Sequence, residues 1–331
     1  MKGYPGADKF VGSLGIKRRE KVLIVSDNLA LRKPVEIIAD KCRGISESVE
    51  LDWSLPEEVL DEIPLRIRNK LMQADVVVFL ASQSWYHAPF RQKLKYRFKK
   101  RVVESYGLCM ELLENGGLLA DYQLIEEMNI EFKKKLKGRR SIHIMSSKGT
   151  ELFAKIDSAA TESGLYQKPG SGGNLPAGEI SLSILDKSVS GRIIFDLSFD
   201  TVGQLRGRTI ELGINNNRIV KVSGAHKNKL KLLLNRDSRL KKIAEIGIGT
   251  NPFCILGRSI LEDEKRMGTL HIGFGNDIYF GGENAGAHYD GILGEPTVDI
   301  DDNRVMLEGK ISKGLFSKEL VRRLSKFGVL N

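Results

Sequence analysis

The chain has 331 residues, 41% hydrophobic and 28% charged, which is enough for two domains with buried cores and too ordinary for a disordered or fibrous protein. Lys and Arg number 52 against 42 Asp and Glu, a net charge of +10 that suits an acidic partner but specifies neither fold nor chemistry. The three cysteines, Cys42, Cys109 and Cys254, have no paired spacing, and the opening residues 1–10 lack an apolar run; neither a disulfide framework nor a thiolate zinc site follows, no signal peptide is expected, and with no spanning segment a soluble, reducing, cytoplasmic setting is expected.

The first half alternates strand and helix. Residues 21–26 are a short β-branched run closed by Asp27-Asn28, which can cap a following helix. Residues 49–52 read as a strand, and residues 74–81 as a buried one, apolar on both faces as parallel strands are. Residues 141–145 are another short strand. This alternation predicts a parallel α/β layer. Residues 91–101 carry seven Lys or Arg interleaved with Tyr96 and Phe98, and residues 133–140 form a second basic cluster. Both suit an anion or nucleic-acid surface, but a solvated helix face is the simpler reading, because no nucleic-acid module accompanies them.

The pattern changes near residue 148, where the boundary is placed: an α/β domain over 1–147 and a β-rich, metal-binding catalytic domain over 148–331. Short β-rich runs at 191–196, 207–212 and 217–222 are divided by Gly and Asn turns, with Asn215-Asn216-Asn217 as a hairpin signal. Helical spacing follows over 227–244.

There is no Gly-x-Ser-x-Gly elbow, no phosphate loop ending in Gly-Lys-Ser/Thr and no His-Glu-x-x-His helix, which removes serine hydrolase, nucleotidase and zincin readings. The chemistry concentrates in the second domain. His288 and Asp290 project to one face of an extended segment, and His271 from a neighbouring strand would complete two imidazoles and a carboxylate, a set suited to Zn²⁺, Mn²⁺, Co²⁺ or Fe²⁺. Glu179 and Glu245 each lie beside glycines that let the backbone approach a bound group. Glu262-Asp-Glu264 also reads as a plain helix-end charge cluster. His143 and His226 read as structural or solvent-exposed, His87 as a loop polar group, and Cys254 as a small apolar filler.

Taken in order, Asn174-Leu-Pro-Ala-Gly-Glu179, Glu245-Ile-Gly-Ile-Gly-Thr-Asn251, Glu262-Asp-Glu-Lys-Arg-Met-Gly-Thr-Leu-His271 and Gly281-Gly-Glu-Asn-Ala-Gly-Ala-His-Tyr-Asp290 resemble the aminopeptidase T / aminopeptidase S family of metallo-aminopeptidases. The resemblance is specific from residue 149 to about 310. It implies that Glu179, Glu245, His271, His288 and Asp290 ligate two divalent ions (Zn, Co or Mn), with Glu245 bridging them. Glu264 would be a further ligand or general base, and Tyr279 would assist catalysis. It further implies a homodimer acting on a peptide or small molecule, and the composition adds the expectation of no nucleic-acid or membrane partner. Such an ion pair would activate a water for hydrolysis of an N-terminal residue. After Glu179 the peptidases continue with a Pro-x-Glu wall, whereas this chain has Ser181-Leu-Ser-Ile-Leu-Asp186, which implies a different substrate pocket.

The same fold resembles the 2,5-dihydroxypyridine ring-cleaving dioxygenases, whose single Fe²⁺ needs only the triad matched here by His271, His288 and Asp290. Retention of Glu179 and Glu245 favours the aminopeptidase over the dioxygenase. A non-catalytic basic binding protein is the third reading, carried by the two Lys/Arg clusters; its mark would be salt-sensitive nucleic-acid affinity.

Overall fold

The computed structural model describes residues 3–60, 62–282 and 286–331. They divide into two units, residues 1–123 with 164–177, and residues 124–163 with 178–331.

In the first unit, strands β1 (Lys21–Val25), β2 (Ser48–Asp52), β3 (Val76–Phe79) and β4 (Arg101–Glu104) form a parallel sheet in the order β2-β1-β3-β4. Every residue of β3 and β4 is buried, as expected of central strands covered by helices on both faces. β4 was not foreseen, since its charged ends look like surface. They are instead internal partners. Arg91 Nε approaches Glu104 Oε2 at 3.3 Å with both side chains fully buried. Arg101 pairs with Glu20 and donates to the carbonyls of Leu14 and Gly15 at 2.8 and 2.7 Å, and Lys95 Nζ donates to the Gly172 carbonyl at 2.6 Å. Three of the seven cations of the basic run therefore hold this unit together, which removes much of the motive for a binding-surface reading.

β2 ends on Asp52, whose side chain is buried against Lys70 and Ser54. Burial alone would raise this carboxyl, but the hydrogen bonds from Lys70 and Ser54 outweigh it and lower it from 3.8 to about 2. A depressed acid stabilises the fold above its unfolded value and loses that contribution as the pH falls through its folded one. Asp52→Asn is expected to cost about 1–2 kcal/mol at pH 7, after discounting for the part-exposed lysine. In urea unfolding, the gap to the native chain should narrow between about pH 4 and pH 2.

The second unit is one antiparallel system of 14 strands among the described residues. Its strands are β5 (Ser141–Met145), β6 (Glu151–Glu162), β7 (Glu179–Ile184), β8 (Ser190–Phe195), β9 (Ser198–Phe199), β10 (Gly203–Gln204), β11 (Ile210–Asn215), β12 (Arg218–Gly224), β13 (Ile243–Gly249), β14 (Leu270–Gly275), β15 (His288–Leu293), β16 (Thr297–Ile300), β17 (Asn303–Leu307) and β18 (Lys310–Ile311). The main path runs β10-β9-β15-β14-β13-β7-β6-β5-β16-β17-β18, with β8 joining β6 to the β11/β12 hairpin. β5 pairs antiparallel with β6 and β16 and so belongs here rather than to the parallel layer. The second unit consequently takes in residues 124–163 and begins earlier than the boundary near 148. The helical reading of 227–244 also shortens. The helix covers Lys227–Arg236, and β13 begins at Ile243.

Period-two alternation decides what each central strand presents. Ile180 and Leu182 of β7, Ile246 and Ile248 of β13, and Leu270, Ile272 and Phe274 of β14 all enter one buried core. Leu124, Met128, Phe132 and Leu136 share that core at four-residue spacing along the helix Tyr122–Leu136. The residues between the apolar ones must point to the opposite face, and these are the ones with chemistry. Among the described residues no helix is long and apolar enough to cross a membrane.

Candidate metal centre

Strand register brings the chemistry together. Glu179 lies opposite Gly249, His271 opposite Gly247, Glu245 opposite Gly273, Gly273 in turn opposite Asp290, and His288 opposite Gly275. Directly opposed residues share a sheet face. Five acids and imidazoles thus occupy one face of β7-β13-β14-β15, each across the ladder from a glycine. The glycines make the room. A Cβ at Gly247 would fall 1.9 Å from His271 Cε1 and 2.0 Å from Nε2; one at Gly273 would fall 2.5 Å from His288 Nε2 and 2.8 Å from Glu245 Cγ.

Two groups of ligand-type atoms result: Glu179, Glu264 and His271, and Glu245, His288 and Asp290, each with its atoms within 4.8 Å of one another. They adjoin through His271, whose Nε2 is 3.7 Å from Glu179 Oε2 and 3.9 Å from Glu245 Oε1. His288 Nε2 is 3.3 Å from both Glu245 Oε1 and Asp290 Oδ1. Glu264 arrives from the short helix Ile260–Lys265, capped by Ser259 Oγ, which accepts from the Glu262 amide at 3.1 Å. Glu262 and Asp263 are buried; Asp263 accepts from the Gly257 amide at 2.6 Å and from Gln204 at 2.7 Å. With Glu262 accepting from the Ile255 amide at 3.3 Å, the two acids tie the helix that carries Glu264 to the turn before it.

Sequence reasoning missed four residues. Lys265 is buried and its ammonium pairs with both Glu179 and Glu264. Ser181 Oγ donates to Glu179 Oε1 at 2.6 Å. His288 Nδ1 lies 2.7 Å from the Asn276 carbonyl oxygen; donation there leaves Nε2 facing the acids, the usual way a ligating imidazole is oriented. Asp200 Oδ2 accepts the Asp290 amide at 2.8 Å. The one signal for Ser181 was its place two residues after Glu179; Asp200 and Asn276 are distant in sequence and gave none.

Burial works against ionisation of Glu179, but Lys265 and His271 hold it below the usual carboxylate range. Burial, with Asp290 and Glu179 nearby, drives Glu264 well above that range in spite of Lys265. Asp200 is pushed up to about 8 by burial and by the Asp290 charge. Burial disfavours the His288 imidazolium, but Asp290 and Glu245 raise it well above the ordinary histidine value.

Both ring nitrogens of His271 are buried without a hydrogen-bond partner among the described residues. Buried polar atoms are rarely left so. A divalent ion would satisfy Nε2, and two imidazoles with hard carboxylates suit Fe²⁺, Mn²⁺, Co²⁺ or Zn²⁺. The residues present fit a metal. Tyr279 lies on the turn Ile278–Phe280, its ring edge-on to Phe280 at 4.9 Å. Glu283, Asn284 and Ala285 of the fourth motif lie outside the described residues. Cys254 is buried, its thiol pushed well up by that burial, in keeping with a filler.

A family model described as NicX, 2,5-dihydroxypyridine 5,6-dioxygenase, matches residues 58–313. No curated protein matches the chain. Among solved structures, 2,5-dihydroxypyridine dioxygenase from Pseudomonas putida KT2440 is similar at 18% identity and a TM-score of 0.75, over 92% of this chain and 96% of that one. Wild-type AmpT from Thermus thermophilus is similar at 15% identity and a TM-score of 0.65, over 93% and 98%. The family match overturns the aminopeptidase reading and the hydrolase and protease assignments that went with it. The physical reason is that the ordered Glu, His and Asp motifs describe a strand scaffold. A dioxygenase and AmpT both align with this chain over nearly their whole length, so the scaffold does not single out the reaction.

Proposed function

This chain belongs to the NicX family, 2,5-dihydroxypyridine 5,6-dioxygenase, and from that premise we propose that it is an Fe²⁺-dependent oxygenase that opens a dihydroxylated pyridine or a closely related hydroxylated ring. In this reading His271, His288 and Asp290 hold the metal, two imidazoles and one carboxylate of the kind that leaves positions open for substrate and O₂. Bound Fe²⁺ would supply the oxygen chemistry that no side chain carries. The protein's own part is to bind and orient. The Asn276 carbonyl fixes the His288 ring, the Asp290 amide is anchored on Asp200, and Gly247 clears the space over which His271 lies.

The observation that carries the reading is the buried Nε2 of His271, without a hydrogen-bond partner among the described residues and 3.7 and 3.9 Å from the carboxylates of Glu179 and Glu245. The test is anaerobic loading with Fe²⁺, followed by 2,5-dihydroxypyridine and air. We expect substrate-dependent O₂ uptake, one molecule per ring opened, and no cleavage of aminoacyl amides by the same sample. Lack of O₂ uptake with iron-loaded protein across a panel of dihydroxypyridines would reject the reading. A homodimer belongs to the same proposal, and light scattering on the eluted protein checks it.

A further inference from the structure

We propose that a cavity at the end of the helix Tyr122–Leu136, rimmed by cations and floored by apolar side chains, binds a small molecule with one anionic head on an aliphatic or aromatic body. The cavity belongs wholly to the second unit, and to residues that the proposed ring opening does not use, so the inference does not rest on that reading.

The space arises where a strand pairing ends. β5 follows β6 only as far as Lys155, and the Ile156 amide donates to the Arg140 carbonyl at 2.8 Å. Past that point β6 pairs with β7 alone among the described residues. The helix stops at Leu136, and the connection to β5 turns at Gly138 with a φ of 79°. A cavity of about 580 Å³ lies between residues 130–140 and residues 156–159, within the size range of small-molecule sites. Leu136 and Ile156 are buried at its floor, with exposed Ile130 and half-buried Ala159 beside them.

Lys133, Lys134, Lys137, Arg139 and Arg140 line the cavity, against the single carboxylate of Asp157. All five are exposed, and among the described residues none of them makes an ion pair. The neighbouring acids are engaged elsewhere. Glu127 pairs with Arg323, Glu131 accepts the Ser317 amide at 2.6 Å, and Asp301 accepts the amides of Arg140 and Ser141 at 3.1 and 2.8 Å. The helix macrodipole accounts for cations in the last turn, Lys133 and Lys134, but not for the three beyond it. Nor do the helix-end carbonyls face an incoming anion unscreened, since those of Lys134 and Leu136 accept the amides of Lys137 and Arg139 at 3.3 and 3.0 Å. Unspent cations beside an apolar floor favour a ligand that offers both a charge and a body to bury. Inorganic phosphate would leave the floor wet. A nucleic-acid strand would call for aromatic stacking platforms, and none of the lining residues is aromatic.

Octanoate is the probe. The full-length protein, once treated with chelator and once loaded with Zn²⁺, is titrated with octanoate in a calorimeter at low salt. We expect one site per chain in both samples, with a Kd of about 10 µM to 1 mM. Octanol keeps the body without the charge, and inorganic phosphate the charge without the body; each should bind at least ~10-fold more weakly. The double variant Lys133→Ala/Lys137→Ala should weaken octanoate about 10-fold, and Ile130→Asp by as much. All three positions are exposed, so these variants should keep the native circular dichroism spectrum. Lys227→Ala/Lys231→Ala, on the exposed face of another helix, should leave the affinity unchanged. Failure of octanoate to bind, or octanol binding equally well, would overturn the proposal. So would an affinity that chelation abolishes and the cavity variants leave alone, which would put the carboxylate on the metal centre. A single-stranded oligonucleotide that binds more tightly than octanoate and is weakened by the same variants would also overturn it.

Discussion

On the proposed ligand set, His288→Ala is expected to fold and to lose the capacity to bind Fe²⁺. His288 stands at the start of β15, where its Nε2 is 3.3 Å from Glu245 Oε1 and from Asp290 Oδ1. Truncation removes one of two imidazoles and leaves two carboxylates facing each other with no cation between them. Loss of groups that merely orient a ligand costs 10–100-fold in metal affinity, so loss of a ligand itself should cost at least ~100-fold, with ring opening falling as far. The fold should survive, because the core residues of β14 and β15, Phe274 and Leu293 among them, point to the other face of the sheet. Iron per chain after desalting and the far-ultraviolet circular dichroism spectrum check both halves of the statement. A folded variant that keeps its iron and its turnover would remove His288 from the centre.

How much of this was legible beforehand depended on whether a residue's signal was local. Residues 21–25 and 76–79 announced themselves, because runs of β-branched residues have few alternatives to a buried strand. Arg101–Glu104 did not. A strand framed by Arg and Glu reads as surface until Arg91 and Glu20 are found waiting for those charges. Within the centre, Glu179, Glu245, His271, His288 and Asp290 stood out as acids and imidazoles in glycine-rich surroundings, and the glycines proved to be their cross-strand partners. That pairing is a register fact, invisible until strands are aligned that lie from 13 residues apart, for Gly275 and His288, to 70 apart, for Glu179 and Gly249. Lys265 was in full view inside Glu262-Asp-Glu-Lys-Arg266 and was read as part of a charged helix end. Its burial, not its identity, gives it meaning. The reaction itself was the least legible, since the peptidase and dioxygenase readings use the same positions, and the choice between them was made on the retained acids Glu179 and Glu245.

Gly247→Ala separates the two things a glycine can do. The backbone at Gly247 does not need a positive φ, so alanine is conformationally acceptable there. What alanine cannot have is the space, because its Cβ would fall about 2 Å from the His271 ring. His271 is fully buried, so the ring has to leave its rotamer or β13 and β14 have to part. Overpacking of this kind costs ~1–3 kcal/mol. The displaced imidazole should also weaken iron binding by ten-fold or more, in the range seen when a ligand loses its orientation. Gly12→Ala, in the helix Pro5–Leu14 with nothing within 4 Å of its would-be Cβ, is the control. It should gain ~0.5–1 kcal/mol and leave iron untouched. Thermal unfolding with and without Fe²⁺ reads both terms for both variants. The diagnostic result is that Gly247→Ala loses most of the stabilisation that iron gives the native chain, whereas Gly12→Ala keeps it. Were Gly247→Ala to melt and bind iron like the native chain, His271 could not lie across that glycine, and the ligand set would have to be rebuilt around Glu245, His288 and Asp290 alone.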